Sequence, residues 1–173
     1  MAPVLRTWIN FGAMQAGWFA CVLGAAHAAA WAGPPVALGI VLLHLALSRQ
    51  RGAELALAAI ALCLGLAWET IAQATGWISY NADGAIAPWW IFTMWPMFAI
   101  TLNVSMRFLH GRWLAAALLG AIGAPLSYLA GARLGALQMP DRNAAIALHA
   151  AGWAVLMPLL VFLAPRISRE WQR

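Results

Sequence analysis

Glu69 is the residue whose type and position most demand a chemical account. It lies in an apolar run from about Ala53 to Thr75, flanked by Leu64, Leu66, Ala67, Trp68 and Ile71. An ionised side chain at hydrocarbon depth costs roughly 3 kcal/mol on insertion scales. Either the rest of the fold supplies a partner and a polar cavity, or the carboxyl keeps its proton. A group so placed can hold the polar head of a ligand, or serve as a general acid or base. Gly65, Glu69 and Gln73 recur at intervals of four, so on a helix they form one stripe that should face protein.

The candidate counter-charge is Arg133. Two intramembrane charges of opposite sign at similar depth relieve one another, so the expectation is a Glu69–Arg133 pair assisted by His149 or Gln73. Trp68, Trp90, Trp95 and His27 share the layer. The expected ligand-binding set is Glu69, Gln73, Arg133, His149, Trp90 and Trp95, with Asn10, Gln15, Asn103 and Tyr128 as a polar core. A purely structural ion pair, or an Arg133 that snorkels to the interface, is weighed equally. At 100° per residue Arg133 points about 140° away from Tyr128 on its helix, so the two need not line one pocket.

The four histidines, 27, 44, 110 and 149, show no ligand spacing for zinc or a di-iron centre. No serine or cysteine stands in a recognisable nucleophile motif. No metal and no cofactor is expected. Cys21 and Cys63 are read as small apolar packing residues.

The elements that must position these groups are membrane helices. With 64% hydrophobic residues, 9% charged and a mean hydropathy of +0.78, a water-soluble globular domain is excluded. The predicted fold is all-α, a polytopic transmembrane bundle of six spans over about 8–31, 36–48, 53–75, 89–109, 113–137 and 144–164, forming a single domain. The first run is long enough to span and carries Asn10 and Gln15, so it reads as a span rather than a signal sequence.

Small residues mark the expected close contacts between helices. In span one they form the rows Gly12, Ala16, Ala20, Gly24 and Ala13, Gly17, Cys21, Ala25, Ala29; in span five the row is Gly123, Ser127, Gly131, Gly135. Gln15 shares a face with Trp8, Phe11 and Trp18. Gly33, Pro34 and Pro35 predict a tight turn, and Pro96 a kink that frees the carbonyl of Phe92. The segment from Gly76 to Pro88, with Asn81, Asp83 and Gly84, is the longest irregular connection. Trp77, Trp89 and Trp90 at its margins read as interfacial tryptophans.

All ten basic residues are arginine. With six crossings, arginines 6, 49, 51, 107, 112, 166, 169 and 173 fall on one side and only 133 and 142 on the other. The positive-inside rule then places both termini in the cytoplasm. The charge is a topology signal rather than a nucleic-acid surface.

Several stretches together carry a resemblance: Asn10-Phe11 with Gln15 and Gly17-Trp18-Phe19; Pro88-Trp89-Trp90 through Trp95 to Thr101-Leu102-Asn103; and Pro125-Leu126-Ser127-Tyr128 with Gly131-Ala132-Arg133-Leu134-Gly135. The chain resembles, over nearly its whole length, a family of small bacterial inner-membrane proteins known as a domain of unknown function. Members often carry Asp-Ser where this chain has Glu69-Thr70. The resemblance implies an inner-membrane location and, through neighbouring genes, a link with enzymes that modify fatty-acyl chains. It implies no established activity.

The favoured function is binding or transport of a lipid or small amphiphile in an outer-leaflet cavity, a pocket that orients a polar head while apolar walls hold a tail. A variant of this is the substrate-capturing subunit of a vitamin transporter. The alternatives are a membrane enzyme acting on lipid with Glu69 as acid or base, which is the less favoured, and an accessory or assembly subunit. Expected partners are membrane lipid, an amphiphilic ligand and a membrane-protein partner, with no nucleic acid.

Overall fold

Apolar runs broken by Gly, Pro and Arg punctuation become helices of very unequal length in the computed structural model, which describes residues 3–80 and 86–171. In order these are α1 (Pro3–Ala26), α2 (Gly33–Leu47), α3 (Arg51–Ala74), α4 (Trp89–Phe92), α5 (Met94–Ala99), α6 (Trp113–Leu134) and α7 (Arg142–Glu170), with a 3-10 turn at Arg107–Leu109. Asn81, Asp83 and Gly84 of the long connection, and Arg173, lie outside the described residues. The fold is all-α among them, and α4 with α5 occupies the place of one expected helix.

Among the described residues four helices, α1, α3, α6 and α7, are long and apolar enough to cross a membrane. Their outward surfaces are apolar: Trp8, Leu55, Ile71, Leu114, Ile122, Leu126 and Val155 are all exposed. An apolar exterior of this extent is what a lipid environment calls for. The chain is a multi-pass helical membrane protein. At 15 residues, α2 reaches about 22 Å, less than the roughly 30 Å hydrocarbon thickness.

The element boundaries have local causes. Ala28 takes a left-handed conformation (φ 56°) that ends the first run earlier than the expected residue 31. Pro34 and Pro35 then start α2, where a missing N–H costs nothing. Gly33 is buried so closely against the backbone of Cys21 that an added Cβ would overlap it, and this is where α1 and α2 meet. Gly135, at φ 93°, terminates α6 instead of continuing the small-residue row. Asp141 caps α7 by accepting from the Ala144 amide at 3.0 Å, and α7 runs on past Pro158 and Pro165 to Glu170.

The expected helix over 89–109 is divided. Pro96 cannot donate to Phe92, and the break falls at Thr93, whose hydroxyl donates to the Trp90 carbonyl at 3.0 Å. Beyond Ala99 the backbone tightens into turns, with the amides of Thr101, Leu102 and Val104 bonding three residues back. Such backbone is tolerated at membrane depth only where protein surrounds it. Here Ile100, Thr101 and Leu102 are buried. Asn10 of α1 donates to the Ile100 carbonyl at 3.2 Å and accepts from the Ser105 amide and hydroxyl at 3.3 and 2.7 Å. His110 contacts the Leu102 carbonyl at 2.9 Å. Asn10 is buried, and its side chain serves backbone groups that the unwound segment leaves without helical partners.

Around this central segment α6 packs along α7, α1 along α2, and α3 against α5 and α7. At one end of the bundle Gly52 lies beneath the Trp171 ring, and Asn103 donates to Ser168 at 3.3 Å and to Glu54 at 3.5 Å. His44 lies 3.7 Å from Glu54 in the same group. At the other end Ser79 and Gln138 exchange backbone hydrogen bonds of 2.9 and 2.7 Å, tying the α3–α4 connection to the α6–α7 loop.

Candidate functional site

Glu69 is 1% exposed, and three donors from three other parts of the chain converge on its two oxygens. The Trp95 indole N–H donates to Oε1 at 3.0 Å. The Tyr128 hydroxyl also donates to Oε1, and the Tyr80 hydroxyl donates to Oε2. Hydrogen bonds to a carboxylate are each worth about 1.5–3 kcal/mol, so this cage offsets a large part of the cost of burying the group.

Each donor is held by its own element. On α3, Gly65 lies one turn before Glu69, and any Cβ there would overlap the Trp95 indole; the glycine makes room for the ring to lie against the helix. Tyr80 follows Ser79, whose bridge to Gln138 leaves the flanking side chains of Ile78 and Tyr80 directed into the core, both buried. Tyr128 projects inward from α6 and is backed by His149 of α7, the two ring centroids lying 3.7 Å apart. His149 is fully buried and anchored through Nδ1 to the Ala145 carbonyl at 2.9 Å.

A cavity of about 560 Å³ opens beside this cage. Phe11, Met14, Gln15, Trp18 and Val22 of α1 form one wall, and Leu119, Gly123, Leu126, Ser127 and Gly131 of α6 the other. Trp90, Trp95, Phe98 and Trp153 form the inner face, with Glu69 and Tyr128 lining it too. The volume falls within the roughly 300–1,000 Å³ of small-molecule sites. Its mouth lies between α1 and α6, where Phe11, Gln15 and Leu126 are themselves exposed. Trp18 bridges the two walls by donating to the Ser127 hydroxyl at 3.0 Å. Among the described residues none that lines it is Arg, Lys or His.

The expected Glu69–Arg133 pair does not form. Arg133 is exposed and lines a separate, smaller cavity of about 340 Å³ with Arg142, Gln138 and Met139. The physical reason is helical phase: Tyr128 takes the inward face of α6, which leaves Arg133 pointing away. Of the other expected site residues, Trp95 binds Glu69 directly and Trp90 lines the cavity. Trp90 is 1% exposed while Trp77 and Trp89 are 39% and 51% exposed, so the interfacial reading fails for Trp90. His149 supports Tyr128 from behind without lining the cavity, and Gln73 is half-buried one turn along α3. Gln15 lines the cavity, whereas Asn103 belongs to the polar group at the opposite end.

The small-residue rows divide in the same way. Gly17 packs on Met97 and Cys21 is buried; outside the rows, Gly120 packs on the Trp153 backbone and Cys63 is exposed. Gly123 meets nothing within 4 Å; with Ser127 and Gly131 it hollows out the cavity instead of closing a helix contact. Sequence reasoning missed Tyr80 and Trp153 as site residues. A signal for the first was present, because the chain has only two tyrosines and both donate to its one mid-helix acid.

A family model described as "Protein of unknown function (DUF2878)" matches residues 7–159. Comparison with curated proteins and with solved structures gives no match.

Proposed function

The chain belongs to the DUF2878 family of unknown function, and we propose, from its site alone, that it binds a lipid or small amphiphile within the membrane. The observation that carries this reading is the cavity between α1 and α6, apolar along its walls and ending on the hydrogen-bonded Glu69. An apolar tail entering between the two helices would lie against Phe11, Leu126 and the tryptophans. A polar head would reach Glu69 and Tyr128. Entry from the lipid side requires no passage through water, since the mouth faces the surface that carries the exposed apolar side chains.

The reading includes an orientation: six crossings, both termini cytoplasmic, in a bacterial inner membrane. The arginine distribution of eight against two supports it, as does the clustering of Gly52, Asn103, Ser168 and Trp171 at one end of the bundle. The Glu69 cage then belongs to the outer leaflet, near the Ser79–Gln138 bridge.

The test is native mass spectrometry of gently extracted protein beside the variant Gly123→Trp, whose Cβ enters open space and whose ring is directed at occupying the cavity that Gly123 lines. Wild type should retain a bound amphiphile that the variant loses, while the variant keeps the wild-type helical content by circular dichroism. Retention of the same molecule by a folded Gly123→Trp protein, or no retention by either, would refute the proposal.

A further inference from the structure

Resting on that reading, the geometry points to a ligand whose head is an organic cation. Three features of the cavity converge on this class. First, among the described residues Glu69 is its one acidic side chain and no Arg, Lys or His lines it. Second, the donors around Glu69 are neutral: two phenols and an indole. They satisfy lone pairs without cancelling charge, and among the described residues no ion pair reaches this carboxyl. A carboxylate has about four acceptor positions; three are used, which leaves one directed contact for a ligand. Third, Trp18, Trp90, Trp95 and Trp153 line the same space. Indole faces attract cations through their quadrupole, and the attraction strengthens once water is excluded.

The alternatives fit less well on the same grounds. An anionic head, such as a phosphate or fatty-acid carboxylate, would bring a second negative charge next to Glu69 with no cation between them. A neutral head would leave the buried carboxyl either charged and uncompensated or holding its proton, and in both cases the acid and the aromatic walls would add no charge attraction to its binding. A quaternary or protonated amine, or another delocalised cation, relieves that charge and uses the aromatic walls. The thioethers of Met14, Met94, Met106 and Met157 also line the cavity and add soft, adaptable contact area, suiting a class of cations rather than one shape.

The test uses two probes of nearly the same size and shape but opposite charge, tetraphenylphosphonium and tetraphenylborate. Equilibrium dialysis against the protein in lipid nanodiscs, with empty discs subtracted, measures both. The expected result is saturable binding of one tetraphenylphosphonium per chain, weakened at least about tenfold in Glu69→Gln, about 1.4 kcal/mol or more, and no saturable binding of tetraphenylborate. Equal affinity for the two ions, undiminished binding by a folded Glu69→Gln protein, or no saturable binding of the cation would each overturn the inference. Should Glu69→Gln fail to fold, the selectivity of wild type between the two ions decides alone. The amphiphile reading is judged separately: a lipid retained by wild type and lost in Gly123→Trp keeps that reading standing even where the cation inference falls.

Discussion

Glu69 and its three donors form a network in which two phenols and an indole share the two oxygens of one carboxyl. Tyr80→Phe and Tyr128→Phe each remove one hydrogen bond to a buried carboxylate, so each should lower unfolding stability by about 1.5–3 kcal/mol in detergent. Because the donors share one acceptor group, the double variant should depart from additivity by at least about 0.5 kcal/mol in a denaturant double-mutant cycle. Additive losses would show that the two phenols act independently. Arg133→Ala, by contrast, changes an exposed side chain and should shift stability by no more than about 0.5 kcal/mol, leaving ligand retention unchanged. A large effect there would point back to a charge pair with Glu69. The acid and its inward stripe were legible from spacing, since Gly65, Glu69 and Gln73 share a face on any helix. Its partners were not, because Tyr80 lies in a connection whose direction depends on the bridge between Ser79 and Gln138, far apart in the chain.

The divided helix over 89–109 makes Asn10 more than a polar residue in a first span. Removing its amide strands the carbonyl of the buried Ile100 and takes the acceptor from the half-buried Ser105, and an unsatisfied buried group costs about 1–3 kcal/mol. Asn10→Ala should therefore destabilise by that order, and amide hydrogen exchange should quicken first between Ile100 and Met106. Uniform change along the chain would refute this localisation. A second test concerns α3: Gly65→Ala would overlap the Trp95 ring and should displace its indole from Glu69, seen as altered tryptophan emission and a loss of about 1–3 kcal/mol from overpacking. Pro96 announced a disturbance in the sequence. The unwinding after Ala99 was not visible there, since it rests on acceptors and donors supplied by α1 and by His110, none of them adjacent in the chain.

Hydrogen-bonded walls, an outward apolar surface and polar groups gathered at the two ends describe a bundle made for lipid surroundings. The proposed orientation predicts that single cysteines placed near Arg49 or Arg112 react with a membrane-impermeant thiol reagent only from the cytoplasmic face. Cysteines near Gln138 should react only from the opposite face, in each case in a background with Cys21 and Cys63 replaced. Reaction of both sets from one face would overturn the six-crossing arrangement.

Composition and hydropathy were enough to establish a multi-pass helical membrane protein, because 173 residues of this apolarity have too little polar surface to cover them in water. Periodicity was enough to turn Glu69 toward protein, since helical phase is a local property. Which groups meet the acid, that Tyr128 takes the inward face of α6, and that the row Gly123, Ser127, Gly131 bounds a cavity instead of a helix contact, all depend on how α1 and α6 are held apart by the segments packed behind them. Distances between elements are set by side chains remote in sequence, and no spacing along a single helix encodes them.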